Sequence, residues 1–268
     1  MKKIFEFNFF LILKNISKNR RCTEGVYTKM SQWTDRWDRQ QAGLGNTLLS
    51  HINRELFMSV KTKAERGMGK SMYNLISIAY AYYHMGYNET DSWNKALESF
   101  IFTPDQLLKR VRHAMANDYI IEFLCIDDAA VHFNNKLWFI NLYTSTLIEA
   151  TFDTIREAVR CLLINSPTTK RLMGALQGYD DYEVSLYHAG HNRYDRKAVC
   201  IKWFSLPSGT RKYNKQFEDL FSCYVPNWVY ELYRPMRRKY LEDITLKLDE
   251  LIAKHDKKKM IDSTTVSV

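Results

Sequence analysis

The chain has 268 residues and a hydrophobic content of 46%, which allows one substantial core with an appendage rather than two large domains. No apolar stretch of the sequence reaches the length of a membrane span. Its five cysteines are widely spaced and form no Cys-x-x-Cys pair, which argues against a zinc module or a disulfide framework and favours a reducing, cytoplasmic setting. The net charge of +9 favours a polyanionic partner such as DNA.

The residues before the first motif divide into two parts, 1–29 and 30–55. An apolar run at 4–13, flanked by basic residues, is open to three interpretations: a secretory signal, a disordered or partner-bound arm, or sequence upstream of a true start at Met30. No Ala-x-Ala-like cleavage site follows it, and we prefer the start at Met30. Residues 30–55 are predicted to form a helix against the edge of the sheet, with apolar residues partly at helical spacing: Trp33, Trp37, Leu44 and Leu48.

A glycine-rich segment, residues 64–71, follows an apolar, strand-like run at 56–60 and precedes a helix-like run from Met72 to Met85. A strand, a glycine-rich turn and a helix form the context that a phosphate-binding loop requires. The segment reads AERGMGKS, with Ala64 where the strictest pattern has glycine, which is the smallest possible departure. We therefore predict a site for ATP at this loop.

Each part of the loop has a predicted role. Gly67 and Gly69 allow successive N–H groups to point inward around a phosphate chain, and the start of the following helix adds a favourable field. Lys70 would reach the β- and γ-phosphates, and the Ser71 hydroxyl would complete a Mg²⁺ shell. The residues predicted to contact the nucleotide are Ala64, Glu65, Arg66, Gly67, Met68, Gly69, Lys70, Ser71 and Met72.

Two helix-rich pieces, 92–102 and 105–116, lead to a second apolar run at 120–126 that is typical of a buried parallel strand. It ends in the pair Asp127 and Asp128. Because P-loop enzymes hold their metal with an acidic residue at the end of such a strand, Asp127 is predicted to bind Mg²⁺, mostly through water. Asp128 is predicted to polarise the attacking water.

A helical region at 138–159 precedes a short strand at 161–164, which leads into Asn165 and Ser166. Beside the metal strand, a polar residue at this position would contact the γ-phosphate. Asn165 is the predicted sensor and Ser166 the reserve, although a plain loop with a turn-forming proline explains the segment equally well. The candidates for an arginine finger, among which the sequence does not choose, are Arg156, Arg160, Lys170 and Arg171.

Alternating residues at 182–188 and 197–204 predict two strands joined through a loop at 190–196. The basic, aromatic loop has two interpretations: it contacts DNA, or it is a solvent-exposed loop on an extension of the sheet. We prefer the second interpretation. A helix is predicted from Pro226 to Lys254, and the tail at 257–268 is predicted to be disordered. The front of the helix is strongly basic and is predicted to contact the phosphate backbone of DNA: Arg234, Arg237, Arg238 and Lys239.

Several segments together resemble one family of proteins. They are Gly67–Ser71, 93–100, 126–130, 165–167 and 225–231. They are similar to the P-loop ATPase of spindle-shaped archaeal viruses (fuselloviruses) and related plasmids, which is often described as similar to the bacterial replication initiator DnaA. The resemblance covers about residues 56–251.

The resemblance implies ATP binding by Gly67, Gly69, Lys70 and Ser71, and metal-linked chemistry at the acidic pair. It also implies an AAA-type, DnaA-like protein of a virus or plasmid that acts in DNA replication in the host cytoplasm. The chain departs from the family pattern at Ala130, where glycine is usual, and at the first loop residue. It has no clear C-terminal helix-turn-helix, which puts sequence-specific origin binding in doubt.

The predicted fold is an α/β P-loop NTPase with a central, mostly parallel sheet flanked by helices, plus a C-terminal β-hairpin and a basic helical appendage. Its predicted parts are an N-terminal arm (1–29), an ATPase core (30–181), the appendage (182–256) and a tail (257–268). The predicted function is Mg-dependent ATP hydrolysis that acts on DNA, as initiator or loader, by a homo-oligomer without a membrane partner. The alternatives are a genome-packaging or DNA-translocating motor, and a nucleotide-controlled binding module with little turnover.

Overall fold

A computed structural model describes residues 42–133, 142–168, 172, 174–177, 182–190, 195–243 and 245–246. The chain divides into two units, Met1–Gln41 and Ala42–Val268, and every described residue belongs to the second. The interpretations of residues 1–29, the disorder expected for 257–268, and the roles of Trp33 and Trp37 fall outside the described residues.

The described strands are β1 (Met58–Lys63), β2 (Phe100–Ile101), β3 (Ile121–Ile126), β4 (Val159–Ser166), β5 (Tyr182–His188), β6 (Asp195–Ser205) and β7 (Arg211–Ser222). The described helices are α1 (Gly43–Asn53), α2 (Lys70–His84), α3 (Glu89–Glu98), α4 (Pro104–Ala116), α5 (Ala129–His132), α6 (Leu142–Thr154), α7 (Gly174–Gln177) and α8 (residues 227–243). None of these helices combines the length and the apolarity that a membrane crossing needs.

These strands form one sheet in the order β2-β3-β4-β1-β5-β6-β7. The five strands from β2 to β5 in this order are parallel, and β6 and β7 continue the sheet antiparallel to their neighbours. The register aligns Thr62 of β1 with Asn165 of β4, and Ile126 of β3 with Ile164 of β4. The carboxyl ends of β1, β3 and β4 therefore meet at one edge of the sheet, which is where ligands bind in open α/β sheets.

Helices cover both faces of the parallel strands. Both faces need cover, because successive side chains of a strand point to opposite faces and these strands are apolar on both. Leu124 and Ile126 of β3 pack in an apolar cluster with residues of α4 and α6. Phe123 points to the other face, where its ring lies 4.9 Å from that of Tyr82 on α2. This burial on both sides explains the nearly continuous apolar run of β3.

Local signals mark where the helices begin. The side chain of Asn88 accepts a hydrogen bond from the backbone N–H of Asp91 at the start of α3. Thr103 and Gln106 form a capping box at the start of α4, with Pro104 as its first residue. The helix predicted for 92–102 is therefore wrong at both ends: α3 begins at Glu89 and stops at Glu98, and β2 follows.

Other predicted bounds differ by a few residues. β1 begins at Met58 because Leu56 is half exposed, and α2 begins at Lys70 rather than Met72. β4 extends past the predicted strand at both ends, so Asn165 lies inside it rather than in a loop. Of the helix predicted for 138–159, residues 138–141 are outside the described part, and the described helix α6 ends at Thr154, before β4 begins at Val159.

The predicted hairpin is present, and the interpretation that it extends the sheet is confirmed. β5 pairs in parallel with β1 of the core and antiparallel with β6, so residue 182 begins a strand of the same sheet. Residues 191–194 of the predicted loop are outside the described part. β7 was not predicted, because all six residues from Arg211 to Gln216 are exposed and the strand has no apolar alternation there.

Candidate functional site

The turn between β1 and α2 depends on two glycines with left-handed backbones. Gly67 has φ +82° and Gly69 has φ +84°, a region that side chains with a Cβ disfavour. Gly69 directly precedes α2, so the chain turns sharply and presents the first N–H groups of the helix to the turn. A Cβ on Gly69 would also collide with Cys223 Sγ, so a larger residue at this position would have to displace the Cys223 side chain.

Lys70 folds back over the turn. Its ammonium group donates hydrogen bonds to the carbonyl oxygens of Ala64 at 2.9 Å and Glu65 at 3.0 Å, and the residue is 8% exposed. Burial lowers the pKa of Lys70, and the nearby Asp128 and Asp127 oppose that shift. A buried cation within reach of the loop amides is the arrangement that an anionic phosphate chain requires.

Ser71 connects the loop to the acidic end of β3. Its hydroxyl donates to the carboxylate of Asp127, at 2.8 Å to Oδ1 and 3.0 Å to Oδ2. Asp127 is 1% exposed, and its backbone N–H is bonded to Ile101 O at the end of β2. The sheet therefore positions this carboxylate rigidly against the start of α2.

A chain of buried amides supports Asp127 from the neighbouring strand. Asn165 on β4 donates to Asp127 Oδ1 at 2.8 Å and accepts from Asn74 on α2 at 2.7 Å. Thr62 on β1 donates to Asn74 Oδ1 at 3.0 Å. Asn165 and Asn74 are fully buried, so each contact replaces hydration that the side chains lost on folding. The chain couples the strand ends of β1 and β4 to Asp127.

Helix α8 covers the acidic pair. The hydroxyl of Tyr233 donates to Asp127 Oδ2 at 2.6 Å, and its ring packs near Phe100 and Phe102. One turn later, Arg237 lies 3.3 Å from Asp128 Oδ2. Burial and the Asp127 carboxylate raise the pKa of Tyr233, so the hydroxyl remains a proton donor at neutral pH. One face of α8 thus contacts both carboxylates.

Asp128 differs from its neighbour in backbone and in charge balance. It has φ +50°, which turns the chain sharply between β3 and α5. Burial and then Asp127 raise the pKa of Asp128, whereas Arg237 and Lys70 lower it. The Asp128 carboxylate is partly exposed, unlike that of Asp127.

The other predicted residues of the loop differ in burial, and Ser166 does not contact the acidic pair. Glu65 and Arg66 are exposed, Met68 is buried and Met72 is half-buried. Ser166 bonds Thr168 O at 2.6 Å within its own turn, rather than the acidic pair.

Two of the four arginine-finger candidates, which would act across a subunit interface, are among the described residues. Arg156 is largely exposed beside Glu157, Arg160 bonds Glu55 O at 2.7 Å, and Lys170 and Arg171 are outside the described residues. In the basic front of α8, Arg237 contacts Asp128, and Arg238 bonds Glu242 at 3.0 Å.

Sequence reasoning missed Tyr233, Asn74 and Thr62, and it assigned Arg237 to DNA. A signal existed for Asn74, a buried polar residue in the otherwise apolar centre of α2. Tyr233 and Arg237 are four residues apart and so share one helix face, but that spacing alone does not say what the face contacts.

The side chains at the sheet edge fit Mg²⁺ and phosphate in their chemistry. Ser71 and Asp127 offer a hydroxyl and a carboxylate, the oxygen ligands that Mg²⁺ accepts alongside water and phosphate. Lys70 and the amides of the turn complement the phosphate charge. These groups come from two consecutive residues at the start of α2, Lys70 and Ser71, and from Asp127 at the end of β3.

No protein-family model matches the chain. The chain is similar to the uncharacterized protein B-251 of Sulfolobus spindle-shape virus 1, with 23% identity over 222 residues. The similarity covers 80% of this chain and 87% of the viral protein. It agrees with the viral origin that the resemblance implies. The viral protein's name states no activity, so ATP binding and hydrolysis stay predictions.

Proposed function

We propose that the chain binds Mg²⁺ and ATP at the carboxyl edge of its sheet and hydrolyses the ATP, as a P-loop NTPase would. The observation that carries the proposal is the 2.8 Å hydrogen bond from Ser71 to Asp127. It joins the residue after the loop lysine to the acidic end of a separate strand. That pairing, together with two left-handed glycines and a buried lysine, supports a combined phosphate and metal site.

The proposed chemistry is phosphoryl transfer to water. Lys70 would leave its two loop carbonyls to contact the β- and γ-phosphates, and Ser71 and Asp127 would hold the metal. Mg²⁺ held by these two residues would supply positive charge to the phosphate chain. Asp128 would orient a water whose oxygen bonds the γ-phosphorus as the bond to the bridging oxygen breaks. Asn165, bonded to Asp127, would report the presence of the γ-phosphate.

The test measures ATP binding by calorimetry and phosphate release by the full chain. Lys70→Ala is expected to abolish turnover and to weaken binding about tenfold or more, because charge-assisted hydrogen bonds contribute about 1.5–3 kcal/mol. Ser71→Ala is expected to weaken binding with Mg²⁺ but not with EDTA. Lys109→Ala, an exposed lysine on α4, is the matched control. Equal binding by Lys70→Ala and the control would refute the proposal.

The contacts of α8 favour a second candidate, a nucleotide-controlled binding module with little turnover. Arg237 pairs with the carboxylate proposed to orient water, and Tyr233 bonds the metal-side carboxylate. A helix held this way would be released or retained according to the nucleotide. Asp128→Asn separates the candidates: lost turnover with retained ATP affinity indicates an ATPase, and an unchanged, negligible rate indicates the switch.

The role on DNA is a proposal that rests on the sequence resemblance, the viral relative and the net charge of +9. We propose a replication initiator or loader in which ATP orders a homo-oligomer, with a packaging motor as the alternative. Turnover is compared on circular, linear and single-stranded DNA, and assembly is followed by light scattering with and without ATP. Strong stimulation by long DNA that its ends block would favour the motor.

A further inference from the structure

The hairpin of β6 and β7 extends beyond the described residues of β5. The first described residue of β5, Tyr182, lies opposite Lys202, so within the described part of the chain the residues of β6 after Lys202 pair with β7 alone. A register shift lies between Cys200 and Ile201, and such bulges increase the twist of a strand pair. We call residues 201–216 the ribbon. Its outermost cross-strand pairs are Trp203 with Tyr213, Phe204 with Lys212, and Ser205 with Arg211.

The ribbon carries only positive charge. It contains Lys202, Arg211, Lys212 and Lys215 and neither Asp nor Glu. Lys215 is bonded to Glu218, which lies just outside the ribbon. A two-stranded projection with this charge presents a positive field to solvent on both faces.

Aromatic side chains lie among these cations. Residues directly opposite in an antiparallel pair share a face, and the rings of Trp203 and Tyr213 lie 5.2 Å apart, edge to face. The guanidinium of Arg211 lies 5.5 Å from the centre of the Trp203 ring. Tyr213 is 60% exposed. Lysines suffice to keep an edge strand from pairing with other sheets, but that purpose does not require an exposed tyrosine beside a tryptophan.

We propose that the ribbon binds single-stranded nucleic acid. Unpaired bases stack on Tyr213 and Trp203, and the phosphates between them contact Arg211, which lies on the same face of the ribbon. Aromatic rings beside cations favour single strands, because the bases of a duplex are already stacked on one another. The inference names a partner for the proposed ATPase and to that extent rests on the proposed function, but the binding itself is measured without ATP.

The experiment uses the full chain and fluorescein-labelled dT20, rU20 and a 20-base-pair duplex, followed by anisotropy between about 50 and 200 mM salt. Tyr213→Ala is expected to weaken dT20 binding about fivefold or more, whereas Tyr230→Ala, an exposed tyrosine on α8, is not. Arg211→Ala is expected to lower the salt slope by about 0.7. The charge-matched control is Arg112→Ala, an exposed arginine on α4.

The proposal is overturned if the wild-type chain binds neither single strand, if it prefers the duplex, or if Tyr213→Ala binds as tightly as Tyr230→Ala. It is also overturned if the ribbon variants change only the oligomeric state, which would assign the ribbon to contacts between copies. ATP binding is measured in the same variants. Tyr213-dependent binding of dT20 without ATP binding would support this inference and refute the proposed function. ATP binding without Tyr213-dependent binding of dT20 would support the proposed function and refute this inference.

Discussion

Replacing Tyr233 with Phe tests whether α8 competes with Mg²⁺ and ATP for Asp127. The variant loses one hydrogen bond of 2.6 Å to a buried carboxylate and keeps the ring that packs near Phe100 and Phe102. Asp127 retains its bonds from Ser71 and Asn165, so it is not left without donors. A charge-assisted hydrogen bond contributes about 1.5–3 kcal/mol, and we take about 1.5 kcal/mol because two other donors remain.

If α8 must release Asp127 before the metal binds, this bond stabilises only the nucleotide-free protein. Tyr233→Phe should then lower the free energy of unfolding without ligand by about 1.5 kcal/mol and tighten the binding of Mg·ATP about tenfold. Calorimetric titration with ATP, in Mg²⁺ and in EDTA, and chemical denaturation measure the two quantities. Tyr240→Phe, on the same helix and packed on Phe102, is the matched control and should leave ATP affinity unchanged.

Weaker binding of Mg·ATP by Tyr233→Phe would refute this reasoning, because it would place the hydroxyl among the contacts of the bound state. Unchanged affinity with reduced stability would refute it as well, since the bond would then persist equally in both states.

Substitutions at the glycine turn, at the acidic pair and at the start of α1 give three further tests. Gly69→Ala should lower the Tm in thermal denaturation more than Gly67→Ala does. Both positions have a positive φ, but only at Gly69 would a Cβ meet Cys223. Combining Gly69→Ala with Cys223→Ala should therefore reduce the difference in Tm between the two glycine variants. The acid limb of the pH dependence of kcat/KM, which reports the free enzyme, should lie above the ordinary range of an aspartate, because burial and Asp127 raise the pKa of Asp128 and the protonated carboxyl no longer orients water. Arg237→Ala should move that limb to higher pH and Arg237→Lys should not, and a shift to lower pH would contradict the assignment of Asp128. Asp219→Leu should lower the free energy of unfolding by about 3 kcal/mol. It removes the acceptor of two N–H groups at the start of α1 and of the Tyr73 hydroxyl. A loss below about 1 kcal/mol would show that water replaces these bonds.

Much of the parallel sheet was predictable because its signals are local. β3 and β4 are buried on both faces, and their apolar runs end close to Asp127 and Asn165. The glycine-rich turn was also readable, since positive φ angles at Gly67 and Gly69 require the residues found there. The exposed half of β7 lacked such a signal, because a strand that contacts solvent on both faces needs no apolar alternation.

By itself, the sequence determined the elements of the site: a turn built on glycines, a lysine and a serine at the start of a helix, and two aspartates after a buried strand. Only the tertiary structure decided which groups meet them. Tyr233 reaches Asp127 across 106 residues, and Asn74 reaches Asn165 across 91. Turn and strand preferences act between neighbours along the chain, whereas these contacts depend on how α8 and α2 pack against the sheet, and local periodicity does not encode that packing.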